Sequence, residues 1–172
     1  MDNALDGGAA PANARQRESI LVQRFNLFTD EWDDQSDRPG FRRRSAKVGE
    51  RIGAARIGAS LYELEPGSKS FPYHLHHANE EWLVVLRGRP TVRTPEGERE
   101  LREGDTVCFP RGADGAHQVL NRSDEAARVL LLSTKIQPDV AEYPDSGKVG
   151  MWGAGLRYLL RNDAHVDYWE GE

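Results

Sequence analysis

From Lys47 onward the hydrophobic positions fall in short runs, each closed by glycine, proline or acidic turn residues. Short runs with period-two alternation predict β-strands rather than helices. The run RIGASLYELEPG, residues 56–67, alternates and stops at the strong turn Pro66-Gly67. FPYHLHH and EEWLVVLRG follow, then RPTVRT and EREL around the turn Pro95-Glu96-Gly97. After a second turn, Glu103-Gly104-Asp105, come TVCFP, the glycine-rich GADGA, AHQVLN and ARVLLLS. The pattern predicts at least seven strands and no long helix, an all-β sandwich or barrel of antiparallel strands.

The flanks have a different texture. Residues 1–18 are polar and small, too poor in apolar surface to offset ordering, and are expected to form a disordered leader. Residues 19–55 read as an N-terminal arm: SILVQRFNLF can dock on a core, and Trp32 is the one anchor in the acidic, turn-rich TDEWDDQSDRPG. The barrel itself is expected over 56–134. From 135 to 172 the prolines, glycines and scattered aromatics predict an extended C-terminal arm packed on the barrel, with GLRYLLRN as a further edge strand.

A chain of 172 residues with mean hydropathy -0.70 fits one soluble domain. No apolar run nears the roughly 18 residues that span a bilayer. The N-terminus lacks the basic and apolar regions of a secretory signal, so a cytoplasmic protein without membrane contact is expected. A net charge of -5 argues against nucleic-acid binding, which rests on basic patches. The one basic cluster, Arg42-Arg43-Arg44, reads as a solvated loop or the neighbour of an acidic strand. Cys108 is the single cysteine, so no internal disulfide forms, and its place between Val107 and Phe109 predicts a buried, inert thiol.

The candidate chemistry is concentrated between Gly67 and Gly88. His74, His76 and His77 stand there with Glu80 and Glu81, a mixture that suits a first-row transition metal better than calcium or magnesium. Side chains alternate along a strand, so His74 and His76 share a face and can clasp one ion, while His77 points away. A carboxylate from the next strand and a histidine from the opposite sheet, His117, would complete four ligands and leave two positions open. The competing reading is a set of structural histidines with no metal. Tyr62, Tyr73 and Trp82 are core residues by default, Asn121 braces a turn, and His165 is expected to be exposed.

The two segments resemble the paired motifs of the cupin superfamily. The first is Gly67, His74-x-His76, Glu81 and Gly88; the second is Gly104, Pro110-x-Gly112, His117 and Asn121. One extra residue between Gly67 and His74, and two between Gly112 and His117, depart from the usual spacing and fall in loops. The resemblance implies a cupin-type double-stranded β-helix, or jelly-roll barrel, with a metal held by His74, His76, Glu81 and His117. Glu81 is preferred over Glu80 because it stands six residues before Gly88 and shares a strand face with Leu83 and Val85. The segment Glu142–Lys148, EYPDSGKVG in its wider context, resembles that of a group of small bacterial single-domain cupins, some of them named for polyketide biosynthesis. It reads as a tight turn, with a lid over the barrel mouth as the alternative.

The resemblance further implies a single divalent transition metal ion, Fe, Mn, Ni or Zn, and a small-molecule substrate. Dioxygenase-, isomerase- and cyclase-like chemistry all fit the ligand set. A non-catalytic module binding a small ligand such as a sugar is the alternative. The apolar residues of the two arms, Trp152 and Trp169 among them, lead to an expected homodimer.

Overall fold

Alternation in the central part of the chain resolves into two packed layers of antiparallel strands. The structure, a computed structural model, describes residues 23–163 and 165–172. The expected leader at 1–18 and the first residues of the N-terminal arm, 19–22, lie outside the described residues. In chain order the strands are β1 Asp34–Ser36, β2 Arg43–Ala46, β3 Ile57–Leu64, β4 Leu75–His76, β5 Glu81–Arg87, β6 Thr91–Thr94 and β7 Gly97–Glu100. They continue with β8 Thr106–Phe109, β9 Gln118–Leu120, β10 Ala127–Thr134, β11 Asp139–Tyr143, β12 Lys148–Gly153 and β13 Leu156–Arg161. A single helical turn, α1 Val48–Arg51, joins β2 to β3. No helix among the described residues is long and apolar enough to cross a membrane.

The first layer is a six-stranded sheet in the order β1-β2-β3-β10-β5-β8. The second is built from β7-β6-β9 and β13-β12-β11-β4. Two bridge pairs, Lys69 with Leu120 and His74 with His117, stitch the β4 region to β9. This is the all-β sandwich expected from the spacing of strands and turns, in the jelly-roll form that the cupin resemblance implies.

Between the layers lies the main core. Leu64, Leu83, Val85, Val129 and Leu131 of the first sheet meet Val92 and Val119 of the second, with Leu101 and Phe109 closing the ends. Burying each such side chain contributes on the order of 1.5–3 kcal/mol. The outer face of the first sheet is also covered. Ala46, Val48 and Leu61 pack there with Phe25, Leu27, Trp32, Leu86 and Leu130. Burial on two faces explains why EEWLVVL and ARVLLLS read as nearly continuous apolar runs.

The N-terminal arm is fastened by a buried charge. Arg128 on β10 is 5% exposed and donates two hydrogen bonds to Glu63 Oε2, at 2.6 and 2.9 Å. The same guanidinium donates to the carbonyls of Leu27 and Thr29, each at 3.1 Å, and lies over the Trp32 ring. Arg44 also pairs with Glu63, so the basic cluster does stand beside an acidic strand.

The C-terminal arm has more structure than its glycines and prolines suggest. It forms three strands, with β11 hydrogen-bonded to β4 through the pairs Ala141–His76 and Glu142–Leu75. Residues 144–146 make a 3₁₀ turn between β11 and β12, and β13 is the edge strand expected from GLRYLLRN.

Candidate metal centre

His74 and His117 are cross-strand neighbours. The amide of His74 donates to the carbonyl of His117 at 3.1 Å, and the amide of His117 donates to that of His74 at 2.8 Å. His76 follows on β4, and Glu81 opens β5 in the facing sheet. The carboxylate comes from the next strand, as expected, but the place expected for His117, on the opposite sheet, is corrected. His117 sits in the same layer as His74, and the carboxylate comes from across the barrel. Strand pairing decides this, because the chain between His76 and Glu81 crosses from one layer to the other.

The four side chains converge on one point. Glu81 Oε2 lies 3.9 Å from His74 Nε2, 3.6 Å from His76 Nε2 and 3.2 Å from His117 Nε2. Ligand atoms of His74, His76 and Glu81 all fall within 4.8 Å of one another, close enough to chelate one ion. Each imidazole is oriented from behind. Nδ1 of His74 donates to the carbonyl of Pro72 at 3.0 Å, and Nδ1 of His117 to that of Gly115 at 2.9 Å. Nδ1 of His76 meets Asp139 Oδ2 at 2.6 Å. Carbonyls and carboxylates only accept, so each ring carries a proton on Nδ1 and, when neutral, presents an Nε2 lone pair inward.

The longer loop before His117 supplies one of these anchors. Residues 113–115 form a 3₁₀ turn that brings the Gly115 carbonyl under the His117 ring. A Cβ on Gly115 would stand 1.6 Å from the Pro110 carbonyl oxygen, so only glycine fits. Behind the cluster, Phe109 stacks on His117 at 3.8 Å between centroids, and Phe71 packs edge-on against His74 and His117.

Electrostatics agree with a neutral His74 beside an ionised Glu81. Burial, then the neighbouring rings of His117 and His76, press the pKa of His74 from 6.5 to about 4. Burial alone would raise Glu81, but contact with His117 and the fields of the three rings outweigh it and hold the carboxyl below its ordinary range. His117 Nε2 is buried and has no hydrogen-bond partner, although a carboxylate oxygen is 3.2 Å away. In a neutral His117 ring these are two acceptors facing each other, an unfavourable contact that a metal cation between them relieves. The donor set and this orphaned nitrogen fit a nitrogen–oxygen transition-metal site.

A cavity of about 360 Å³ opens onto the cluster between β4, β11 and the end of β10. His74, His76, Asp139, Lys135, Gln137, Tyr143 and Trp152 line it. Tyr143 stacks on His74 with centroids 5.9 Å apart, and burial, then Asp139, raises its phenol pKa. The Trp152 ring lies across Gly150, where a Cβ would approach it to 2.1 Å.

Asp139 is the residue that the sequence did not reveal. It stands 63 positions from His76, in an arm expected only to cover the barrel, and no spacing links the two. The remaining candidates sort by parity. His77 is exposed and pairs with Glu142 at 2.6 Å, while Glu80 is exposed and accepts from the Trp82 indole at 3.0 Å. Asn121 braces its turn through the carbonyls of Leu64 and Glu125, and His165 is exposed. Tyr73 is buried and Tyr62 partly so. Two expectations are corrected: Trp82 is 49% exposed, and Cys108 is exposed rather than buried. They oppose each other on β5 and β8 and point outward, because Leu83, Val107 and Phe109 take the inward positions.

The segment Glu142–Lys148 forms the expected tight turn beside the cavity. Asp145 is bound by Arg93 through two hydrogen bonds at 2.6 and 2.9 Å, and Lys148 lies over the Tyr143 ring.

Comparison with known proteins places this geometry in context. Residues 60–133 match the cupin domain family. A candidate sugar phosphate isomerase from Acidithiobacillus ferrooxidans is 31% identical, with 78% of this chain and 86% of that one covered, at a TM-score of 0.69. A cupin-superfamily sugar phosphate isomerase from Silicibacter pomeroyi is 28% identical over 86% of this chain and 98% of that one, at a TM-score of 0.72. The polyketide cyclase RemF from Streptomyces resistomycificus shares the fold at 21% identity and a TM-score of 0.56, over 69% of this chain and 84% of that one. No curated protein sequence matches the chain.

Proposed function

The chain belongs to the cupin superfamily, and from that premise we propose that it is a metal-dependent isomerase of a small phosphorylated sugar. His74, His76, Glu81 and His117 hold one divalent transition metal ion, Fe, Mn, Ni or Zn. One observation carries the proposal: the Nε2 atoms of three histidines lie 3.2–3.9 Å from one carboxylate oxygen of Glu81, with every Nδ1 proton already committed elsewhere. Bound there, the ion supplies Lewis-acid polarisation of a substrate carbonyl or hydroxyl oxygen.

The chain's own residues supply the rest of the site. Lys135, at the cavity wall, offers a positive charge to a phosphate group. Trp152 gives a flat apolar wall for the carbon face of a sugar ring. The Tyr143 phenol stays protonated at neutral pH and can donate a hydrogen bond to a substrate hydroxyl. The two solved proteins named as sugar phosphate isomerases support this substrate class.

The test is elemental analysis of the purified protein, followed by a panel of aldose and ketose phosphates monitored by NMR. Interconversion of one pair by the metal-loaded protein, lost on chelation and restored by metal, supports the proposal. Failure to take up any of the four metals overturns it. Oxygen uptake without isomerisation would keep the metal site and replace the reaction.

Assembly as a homodimer is part of the proposal. On β13 and the last residues, Leu156, Tyr158, Leu159, Leu160, Val166, Tyr168 and Trp169 are 46–84% exposed. Such a cluster of exposed large apolar residues suits a contact with another protein surface. Among the described residues the outer edge of β13 pairs with no strand, and the basic Arg157 and Arg161 on it complement Asp163, Asp167 and Glu170 in the segment that follows. A second copy of the chain meets both needs with a closed, symmetric contact.

A further inference from the structure

Asp139 joins the C-terminal arm to the cluster through both of its oxygens. It is the first residue of β11, 7% exposed, and its position is fixed by the pairing of Ala141 with His76 two residues further along the strand. Oδ2 accepts from His76 Nδ1 at 2.6 Å, and Oδ1 accepts from the backbone amide of Ala78 at 3.0 Å. The second bond matters as much as the first, because it aims the carboxylate. A group with two acceptor oxygens and no proton, held between a ring nitrogen and an amide N–H, permits only one imidazole tautomer.

His76 differs here from its two neighbours. His74 and His117 are oriented by carbonyls of their own local chain, two residues away. Of the three rings only His76 depends on a distant element, so docking of β11 is what holds the inward lone pair of this ring in place.

We infer that Asp139 is a positioning residue that locks His76 in its Nδ1–H tautomer and thereby couples metal binding to docking of the C-terminal arm. The inference rests on the metal site proposed above. Carboxylates behind a metal-binding histidine raise its basicity and fix its ring, and losing one costs about 10–100-fold in metal affinity. Coupling is reciprocal, so metal binding also protects β11 from opening.

Asparagine separates this role from simple packing. Asp139→Asn keeps the shape but leaves one acceptor for two donors. The amide oxygen goes to the Ala78 N–H, whose proton cannot move, and the NH₂ group then faces His76 Nδ1. That arrangement drives the ring proton to Nε2, the atom that must bind metal.

Long-range nitrogen-15 NMR of the full-length protein reads the tautomer without metal, and competition titration with Zn²⁺ and Mn²⁺ reads affinity. The wild type is expected to show His76 as Nδ1–H, and Asp139→Asn as Nε2–H with affinity lowered about 10–100-fold. Glu142→Gln, on the same strand but paired with exposed His77, is expected to bind metal as the wild type does. An Asp139→Asn protein that is folded, retains the wild-type tautomer and binds metal within twofold of wild type overturns the inference. If the wild type binds no metal the proposed function falls. The tautomer comparison in the metal-free proteins then still decides what Asp139 does.

Discussion

The two arms are built alike and used differently. Each is an extension of the barrel made of short strands, and each is fastened by a buried charged side chain. In the N-terminal arm the fastener is Arg128, bound to Glu63 and to two arm carbonyls, and Phe25, Leu27 and Trp32 cover the outer face of the first sheet. In the C-terminal arm the fastener is Asp139, and what it holds is a histidine of the candidate metal centre. One arm completes a core, and the other completes a site. The difference lies in which sheet each arm extends, since β2 joins β3 while β11 joins β4 at His76.

The largest expected effect separates the arms by stability. Arg128→Ala leaves Glu63 and the carbonyls of Leu27 and Thr29 short of a donor in a partly buried place. It is expected to cost about 3 kcal/mol by denaturant unfolding, with metal affinity unchanged. Asp139→Ala is expected to do the reverse. Its unfolding free energy should fall by about 1–2 kcal/mol, as for one lost charged hydrogen-bond acceptor, while Zn²⁺ affinity falls by about 10–100-fold. Equal losses of both properties in both variants would erase the distinction between the arms.

Legibility in the sequence follows the same division. The barrel strands were readable because alternation survives wherever one face meets the core, as in RIGASLYEL. The cluster was readable because His74, His76 and Glu81 lie within eight residues and their spacing carries strand parity. Parity misled only where it was not applied. Trp82 and Cys108 are apolar residues on outward positions of strands whose inward neighbours are also apolar, so hydrophobicity alone could not assign their side. The three strands of the C-terminal arm were hidden by glycines that the fold uses for contact, such as Gly150 beneath Trp152. Asp139 could not be found, since its partner is set by sheet topology and not by any local pattern.

A smaller effect concerns pH. The His74 pKa lies at about 4 in the folded chain, against 6.5 ordinarily. Between those values the unfolded chain binds a proton that the folded chain refuses. Stability is therefore full above pH 6.5, falls as the pH drops toward 4 and levels off below it. Melting of the metal-free protein across this window should show the decline, and His74→Gln should flatten it. An equally steep decline in His74→Gln would assign the effect to another group.

The smallest effect is on assembly, and it extends the comparison to what each arm leaves uncovered. The N-terminal arm packs Phe25 and Trp32 against the first sheet and leaves Phe28 exposed, whereas the C-terminal arm exposes Tyr168 at 84% and Trp169 at 72%. Leu160→Asp is expected to halve the mass measured by light scattering while leaving metal affinity within twofold. A monomeric wild type would remove the dimer from the account without touching the site.

The central claim is that His74, His76, Glu81 and His117 hold one metal ion, and metal content tests it most directly. Elemental analysis of the wild type and of the double variant His76→Ala, Glu81→Ala, each loaded and dialysed identically, compares the site with and without two of its ligands. The account predicts one divalent ion per chain in the wild type and none in the folded variant. Unchanged metal content in the variant would contradict it.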